Sequence, residues 1–222
     1  MNLENYSEWG SFRDIEGEDA TRRSQEFYEM IRTRRSIRQF STKKIPDSVI
    51  ESAILAAGTA PSGAHKQPWL FAVIENPEVK KQIRAAAEEE ERAFYERRAS
   101  EQWLNDLKPL GTDSDKPYLE RASHLIAIFA KLKDEGDGDS FGRTYYPIES
   151  TCIATGILIT ALHNAGVGTL THTPKPLKFL NRSLGLASHY RPLILLVAGY
   201  PEQPVSVPRL ERKSLGEITK FY

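Results

Sequence analysis

With one cysteine, Cys152, in 222 residues, an intrachain disulfide is impossible. Its place inside an apolar run reads as a buried structural thiol in a reducing compartment. Net charge is missing as well: thirty Lys and Arg balance thirty Asp and Glu, so no overall field draws the chain to nucleic acid or to an anionic membrane. The most apolar long segment, Thr151 to Leu162, falls short of the roughly twenty residues that cross a bilayer. No G-x-G-x-x-G follows a predicted strand and no P-loop is present, and His65, His124, His163 and His189 lack a ligand spacing such as H-E-x-x-H. These absences argue against a Rossmann domain and against a metal site. The first 23 residues contain no apolar signal-peptide core, so the expectation is a cytoplasmic protein with neither nucleic acid nor membrane as partner.

What is present suits an ordinary globular domain, 40% hydrophobic and 27% charged, without repeats or a linker. Residues 1–23 read as an N-terminal extension, 24–201 as one domain, and 202–222 as a C-terminal extension with proline but weak periodicity, which needs a second subunit to pack on. Helices are expected from Ser24 to Thr33, on Phe27, Met30 and Ile31, and after Pro46, on a stripe of Val49, Ile50, Ile54 and Leu55. Trp69 to Ile74 reads as a strand, and the charged stretch from Glu78 to about Asp106 as one long helix. His124 to Ala130, Val167 to Thr171 and Pro192 to Ala198 complete the strands, with a helix near Leu177 to Leu184. Asp134 to Asp139 reads as an exposed loop. Tyr146 to Ala165 is apolar nearly all round, which predicts a helix that is central or in a subunit interface. The order implies an α+β layer with a mixed sheet between helices.

Two clusters carry chemistry. Arg32-Thr33-Arg34-Arg35-Ser36-Ile37-Arg38 puts four arginines in seven residues at a helix end. Guanidinium forks, a serine hydroxyl and backbone N–H groups can cradle a phosphate. The same residues also read as a solvated cationic helix end or, third, as a nucleic-acid patch. In the acidic stretch, Glu91 and Tyr95 are four apart and share a helix face, and Lys116 follows before Pro117. Glu91 could pair with an α-ammonium, Tyr95 and Lys116 with an α-carboxylate, which points to a free amino acid. The competing reading is a solvated face with i,i+4 pairs such as Glu88 to Arg92.

RTRRSIRQF, TAPSGAHKQPW at Thr59 to Trp69, GVGTLTHTP at Gly166 to Pro174 and AGYP at Ala198 to Pro201 occur in the order found in the nitroreductase superfamily, and the resemblance spans roughly Ser24 to Arg212. It implies a nitroreductase-like fold in an intertwined homodimer, with FMN held at the subunit interface by both chains. Arg34, Arg35, Ser36 and Arg38, joined by Arg212, would hold the FMN phosphate and ribityl chain. Pro61, Ser62 and Gly63 would lie along the isoalloxazine, and Thr171, His172 and Thr173 by its reactive edge. Thr173 would be the catalytic hydroxyl at flavin N5. Without the resemblance, Thr173 reads as a cap for the helix after Pro174.

The acidic run, the Glu–Tyr pair and the lysine resemble the iodotyrosine deiodinases within that superfamily. This implies a lid at about 88–118, halotyrosine as substrate, Ala64 N–H on its phenolate, and Glu91, Tyr95 and Lys116 on its zwitterion. A flavin reductase or NAD(P)H would supply electrons. Two features depart from that family: the membrane anchor of its animal members is missing, which suggests a soluble microbial form, and His172 replaces a hydroxyl residue in the threonine-rich segment. A general nitroreductase or quinone reductase is the alternative on the same fold, and a non-catalytic flavin or amino-acid binder the alternative outside it.

Overall fold

The computed structural model describes residues 14–135 and 141–222, so most of the expected N-terminal extension and much of the 134–139 loop lie outside the described residues. The chain divides into two units, Met1–Arg34 and Arg35–Tyr222. In the first, α1 (Gly17–Ile31) begins seven residues before the predicted start. Its first half has no apolar period but is held by charge: Glu18 and Asp19 lie in the first turn, and Arg22 bridges Asp19 at 2.6 Å and Glu26 at 2.7 Å. No residue of α1 is buried in the chain, and Phe27 and Tyr28 stand exposed.

The second unit runs in order through α2 (Asp47–Gly58), β1 (Trp69–Ile74), α3 (Pro77–Ala93), α4 (Glu101–Leu107), α5 (Tyr118–Arg121), β2 (His124–Lys131), the short hairpin β3 (Lys133–Glu135) and β4 (Phe141–Arg143), α6 (Pro147–Asn164), β5 (Gly168–His172), α7 (Phe179–Leu184), β6 (Tyr190–Gly199) and α8 (Leu215–Ile218). Asp134 and Glu135, expected in a loop, therefore belong to a strand pair. The central sheet has the order β1-β2-β6-β5 with antiparallel ladders throughout. Among the described residues its parallel component is the bridge from Ser36 to Thr169. Pro192, which cannot donate to a ladder, sits where the β2–β6 register shifts between Ile128 and Phe129.

Alternation along the central strands sorts the core into two layers. Leu125, Ala127 and Phe129 of β2 and Leu195 and Val197 of β6 face Ile83, Ala87, Leu119, Phe179 and Leu180. Ile126, Ile128, Leu196 and Ala198 face Ile50, Ala53 and Ala57 of α2 and Leu158 and Leu162 of α6. The sheet thus lies between α3, α5 and α7 on one side and α2 with α6 on the other, and each buried aliphatic side chain contributes roughly 1.5–3 kcal/mol.

Two predictions of facing need correction. Leu55 is 73% exposed and Cys152 is exposed, not buried; α2 turns Ile50, Ala53 and Ala57 inward, and α6 turns Ser150, Thr151, Ala154, Thr155, Leu158 and Leu162 inward. An apolar run gives no direction when both faces of a helix carry apolar residues. The charged helix is also not continuous: α3 opens into a wide π turn at Phe94–Arg98, Ala99 is extended, and Ser100 caps α4 by accepting the Trp103 N–H at 3.2 Å.

Candidate functional site

Asn76 caps α3, its side chain accepting the N–H groups of Glu78 and Val79, and fixes where the far end of the helix delivers Glu91. The π turn carries Tyr95, and the approach to α5 carries Lys116. These three residues, separated by up to 25 positions, meet in the wall of a cavity of about 490 Å³, a volume within the usual range for ligand sites. Glu91 Oε2 stands 3.6 Å from Lys116 Nζ, which is attraction without a hydrogen bond. Lys116 also donates to Thr112 Oγ1 at 3.1 Å and to the Asp113 carbonyl, so one of its three protons is left toward the carboxylate. The Tyr95 hydroxyl donates to the Thr112 carbonyl at 3.1 Å.

The ion pair is close to balance. At 3.6 Å, with an effective dielectric of about 20, the attraction is roughly 4–5 kcal/mol, and removing each ion from water costs several. Burial accordingly pushes the Glu91 carboxyl above its ordinary range and the Lys116 ammonium below its own, while each charge opposes the other's shift. Such a pair is incompletely satisfied and suited to a ligand carrying both complementary charges.

The same cavity is lined by β5 and the turn after it, through Leu170, Thr171, His172 and Thr173, and by Arg38. Thr171 and Thr173 are exposed and His172 is 5% exposed. His172 Nδ1 lies 3.3 Å from the Tyr118 hydroxyl, and its Nε2 has no hydrogen-bond partner. Burial, with Lys116 and Arg38 adding to it, lowers its pKa to about 3, so the ring is neutral at ordinary pH. Thr173 does not cap α7, which starts at Phe179 after Lys178; the capping alternative for this residue therefore falls away.

Other expected residues lie elsewhere. Arg34, half-buried, ends the first unit, its backbone N–H bonded to the Ile31 carbonyl. Arg35 donates to the Pro208 carbonyl, and Gln39 meets Glu202 and Ser206, so the segment leading to exposed Arg212 runs beside the arginine cluster. Ser36 and Ile37 are held against Thr169. Pro61, Ser62, Gly63 and Ala64 do not line the cavity. They precede β1, at the sheet edge opposite β5, and three strand spacings make about 14 Å of sheet between the edges. Ala64, His65 and Gln67 adopt positive φ values of 49°, 55° and 46°, each costing of order 1 kcal/mol, as loops fixed for binding often do.

Sequence reasoning missed the apolar wall and Tyr118. Phe94, Trp103, Leu107 and Leu110 line the cavity, with Phe94 edge-on to both Tyr95 and Trp103; the spacing of 103, 107 and 110 was a readable helical stripe. Tyr118 carried no local signal. Asp47, Glu75 and His124 have ligand atoms within 4.8 Å of one another. The Lys44 ammonium stands between the two carboxylates at 2.9 and 2.8 Å, supplying that cluster's cation.

A model of the nitroreductase family matches residues 31–200. Iodotyrosine deiodinase of Haliscomenobacter hydrossis is 44% identical over 208 residues, covering 94% of this chain and 94% of its own. Iodotyrosine deiodinase 1 of Homo sapiens is 44% identical over 201 residues, covering 90% of this chain and 70% of its own. A crystal structure of oxidized iodotyrosine deiodinase bound to FMN and 3-iodo-L-tyrosine aligns with a TM-score of 0.74 at 28% identity, covering 85% of this chain and 96% of that one. This chain belongs to the nitroreductase family and, within it, to the iodotyrosine deiodinases.

Proposed function

We propose that the chain is an FMN-dependent reductive dehalogenase of halotyrosines, converting 3-iodotyrosine to tyrosine and iodide. The observation that carries this is the meeting of Glu91, Tyr95 and Lys116 with Thr171 to Thr173 in the lining of one cavity. A general quinone or nitro reductase has no use for a buried carboxylate–ammonium pair beside a phenol. A zwitterionic amino acid does, because its ammonium completes Glu91 and its carboxylate completes Lys116.

The donor set fits FMN: cationic side chains at Arg35 and Arg38 with Ser36, and Arg212 on the adjoining segment, for the phosphate and ribityl chain, and neutral hydroxyls at Thr171 and Thr173 for the ring. Reduced FMN supplies the two electrons that, with one proton, replace the carbon–iodine bond by carbon–hydrogen and release iodide. The protein's part is orientation. Glu91 and Lys116 fix the ends of the zwitterion, and Tyr95 turns its hydroxyl hydrogen from the Thr112 carbonyl to the ligand carboxylate. The Ala64 N–H holds the phenolate, so the halogen-bearing carbon has one position. Phe94, Trp103 and Leu107 line the cavity and would keep water from the bound ligand, and Thr173 would offer its hydroxyl to the flavin's reactive edge.

We infer a homodimer with sites shared between chains. The Pro61–Ala64 loop and Thr173 belong to opposite sheet edges, so a site using both draws them from two copies. Apolar surface for a partner is present: Leu55 and Ile153 on α2 and α6, and Leu215, Ile218 and Phe221 in the C-terminal segment, are 47–86% exposed. Among the described residues no helix is long and apolar enough to cross a membrane. We place the enzyme in the cytoplasm, with NAD(P)H, directly or through a flavin reductase, as electron source.

Anaerobic reduction with dithionite followed by 3-iodotyrosine tests the reading. Flavin reoxidation with stoichiometric tyrosine and iodide is expected. Reoxidation by nitroaromatics or quinones but not by 3-iodotyrosine would move the chain to the general reductases.

A further inference from the structure

The residues that hold Lys116 belong to the part of the acidic run that looks like a solvated face. Glu88 precedes Glu91 by three positions on α3, so the two project from neighbouring places on one face. Its Oε1 accepts the backbone N–H of Lys116 at 2.8 Å and Arg84 Nε at 2.7 Å. Arg84 directs its other two nitrogens to Asp115 at 2.8 Å and Glu120 at 3.2 Å, residues on either side of Lys116 in sequence. The side chains of Arg84 and Glu88 are 27% and 16% exposed, which sets them apart from the solvated pairs of α1. One face of α3 thus grips Lys116 twice, its main chain through Glu88 and its ammonium through Glu91.

We propose that Arg84 and Glu88 are positioning residues of the amino-acid clamp: they fix where the Lys116 ammonium stands relative to the Glu91 carboxylate and so set affinity for zwitterionic substrates without touching them. This rests on the function proposed above. The planar fork of Arg84 meets three carboxylates at once, which a lysine cannot reproduce. A glutamine at position 88 keeps an oxygen for the Lys116 N–H and loses the charge facing Arg84. The grip therefore degrades in steps.

The experiment measures Kd by flavin fluorescence on the FMN-loaded enzyme, for 3-iodotyrosine and for 2-iodophenol, which keeps the phenol and halogen and lacks the zwitterion. Glu88→Ala should weaken 3-iodotyrosine about tenfold or more, and Glu88→Gln about threefold as partial rescue. Both should leave 2-iodophenol and the flavin midpoint potential unchanged. Arg84→Lys is the second variant, with an expected loss of at least threefold for 3-iodotyrosine alone. Unchanged 3-iodotyrosine affinity, or parallel loss of both ligands, overturns the proposal. Glu91→Gln separates the two levels: if it loses 3-iodotyrosine affinity while Glu88→Ala and Arg84→Lys keep it, only the positioning role fails. If Glu91→Gln also binds normally, the clamp itself is wrong.

Discussion

Lys116 Nζ and Glu91 Oε2 lie 3.6 Å apart, with the ammonium side chain 2% and the carboxylate side chain 13% exposed. The contact joins the end of α3 to the segment that leads into α5 and brings opposite charges together without letting either be solvated or fully bonded.

Glu91→Gln should therefore weaken 3-iodotyrosine binding by about 1.5–3 kcal/mol, roughly tenfold or more, because a charge-assisted bond is lost. Tyr95→Phe should cost less, about 0.5–1.5 kcal/mol, since Tyr95 exchanges a bond to the Thr112 carbonyl for one to the ligand. Calorimetric titration of both variants decides it, and an equal or reversed ranking would contradict the assignment.

Gly199 and Gly63 occupy places where a methyl group has no room. A Cβ at Gly199 would lie 2.8 Å from Cδ1 of the fully buried Phe40, and one at Gly63 would lie 2.8 Å from Tyr145 Cβ and 2.9 Å from its carbonyl. Each alanine variant should lose about 1–3 kcal/mol. Denaturant midpoints report the loss. In Gly63→Ala the change should also disturb the loop that offers Ala64, and a variant of wild-type stability would show that this loop moves freely.

His172 sets a pH dependence. Its pKa in the fold, about 3, lies below the ordinary 6.5, so the unfolded chain binds the extra proton. The stability it represents is complete above about pH 6.5 and falls as pH drops toward 3, by up to roughly 1.4 kcal/mol per pH unit. His124, also lowered by burial, contributes in the same direction. In His172→Gln the slope of unfolding free energy between pH 6.5 and 4 should shrink by up to one proton, and identical slopes would refute the buried neutral ring.

Ser100→Ala removes the cap of α4 and should cost that short helix about 1 kcal/mol. Because Trp103 and Leu107 line the cavity, 3-iodotyrosine affinity should drop about fivefold with little change in global melting. A large melting shift with unchanged affinity would mean that α4 supports the fold and not the site.

Much of this was readable beforehand. Strands β1, β2, β5 and β6 and helices α2, α6 and α7 lie within a few residues of their predicted places, because period and turn residues are local properties. The spacing of Glu91 and Tyr95 suggests one helix face, although Tyr95 lies on the π turn beyond α3, and Lys116 joins them as the cation of a zwitterion-binding set and by the family resemblance. What escaped depends on tertiary neighbours. The direction faced by Cys152 and Leu55 is decided by the sheet beneath. The break at Phe94–Arg98 is a π turn inside an unbroken helix-favouring composition. Glu88 looks in sequence like its neighbours Glu89 and Glu90, and only the fold brings the Lys116 N–H to it.

Placing the Ala64 loop and Thr173 at opposite margins of one sheet has a genetic corollary. If, as proposed, each site takes the Ala64 loop from one copy and Thr173 from the other, two defective subunits, one with a damaged loop and the other with Thr173→Val, should repair each other when co-expressed. In a mixed pair both lesions fall on one catalytic centre and spare its twin, so about a quarter of the centres should regain activity under random pairing.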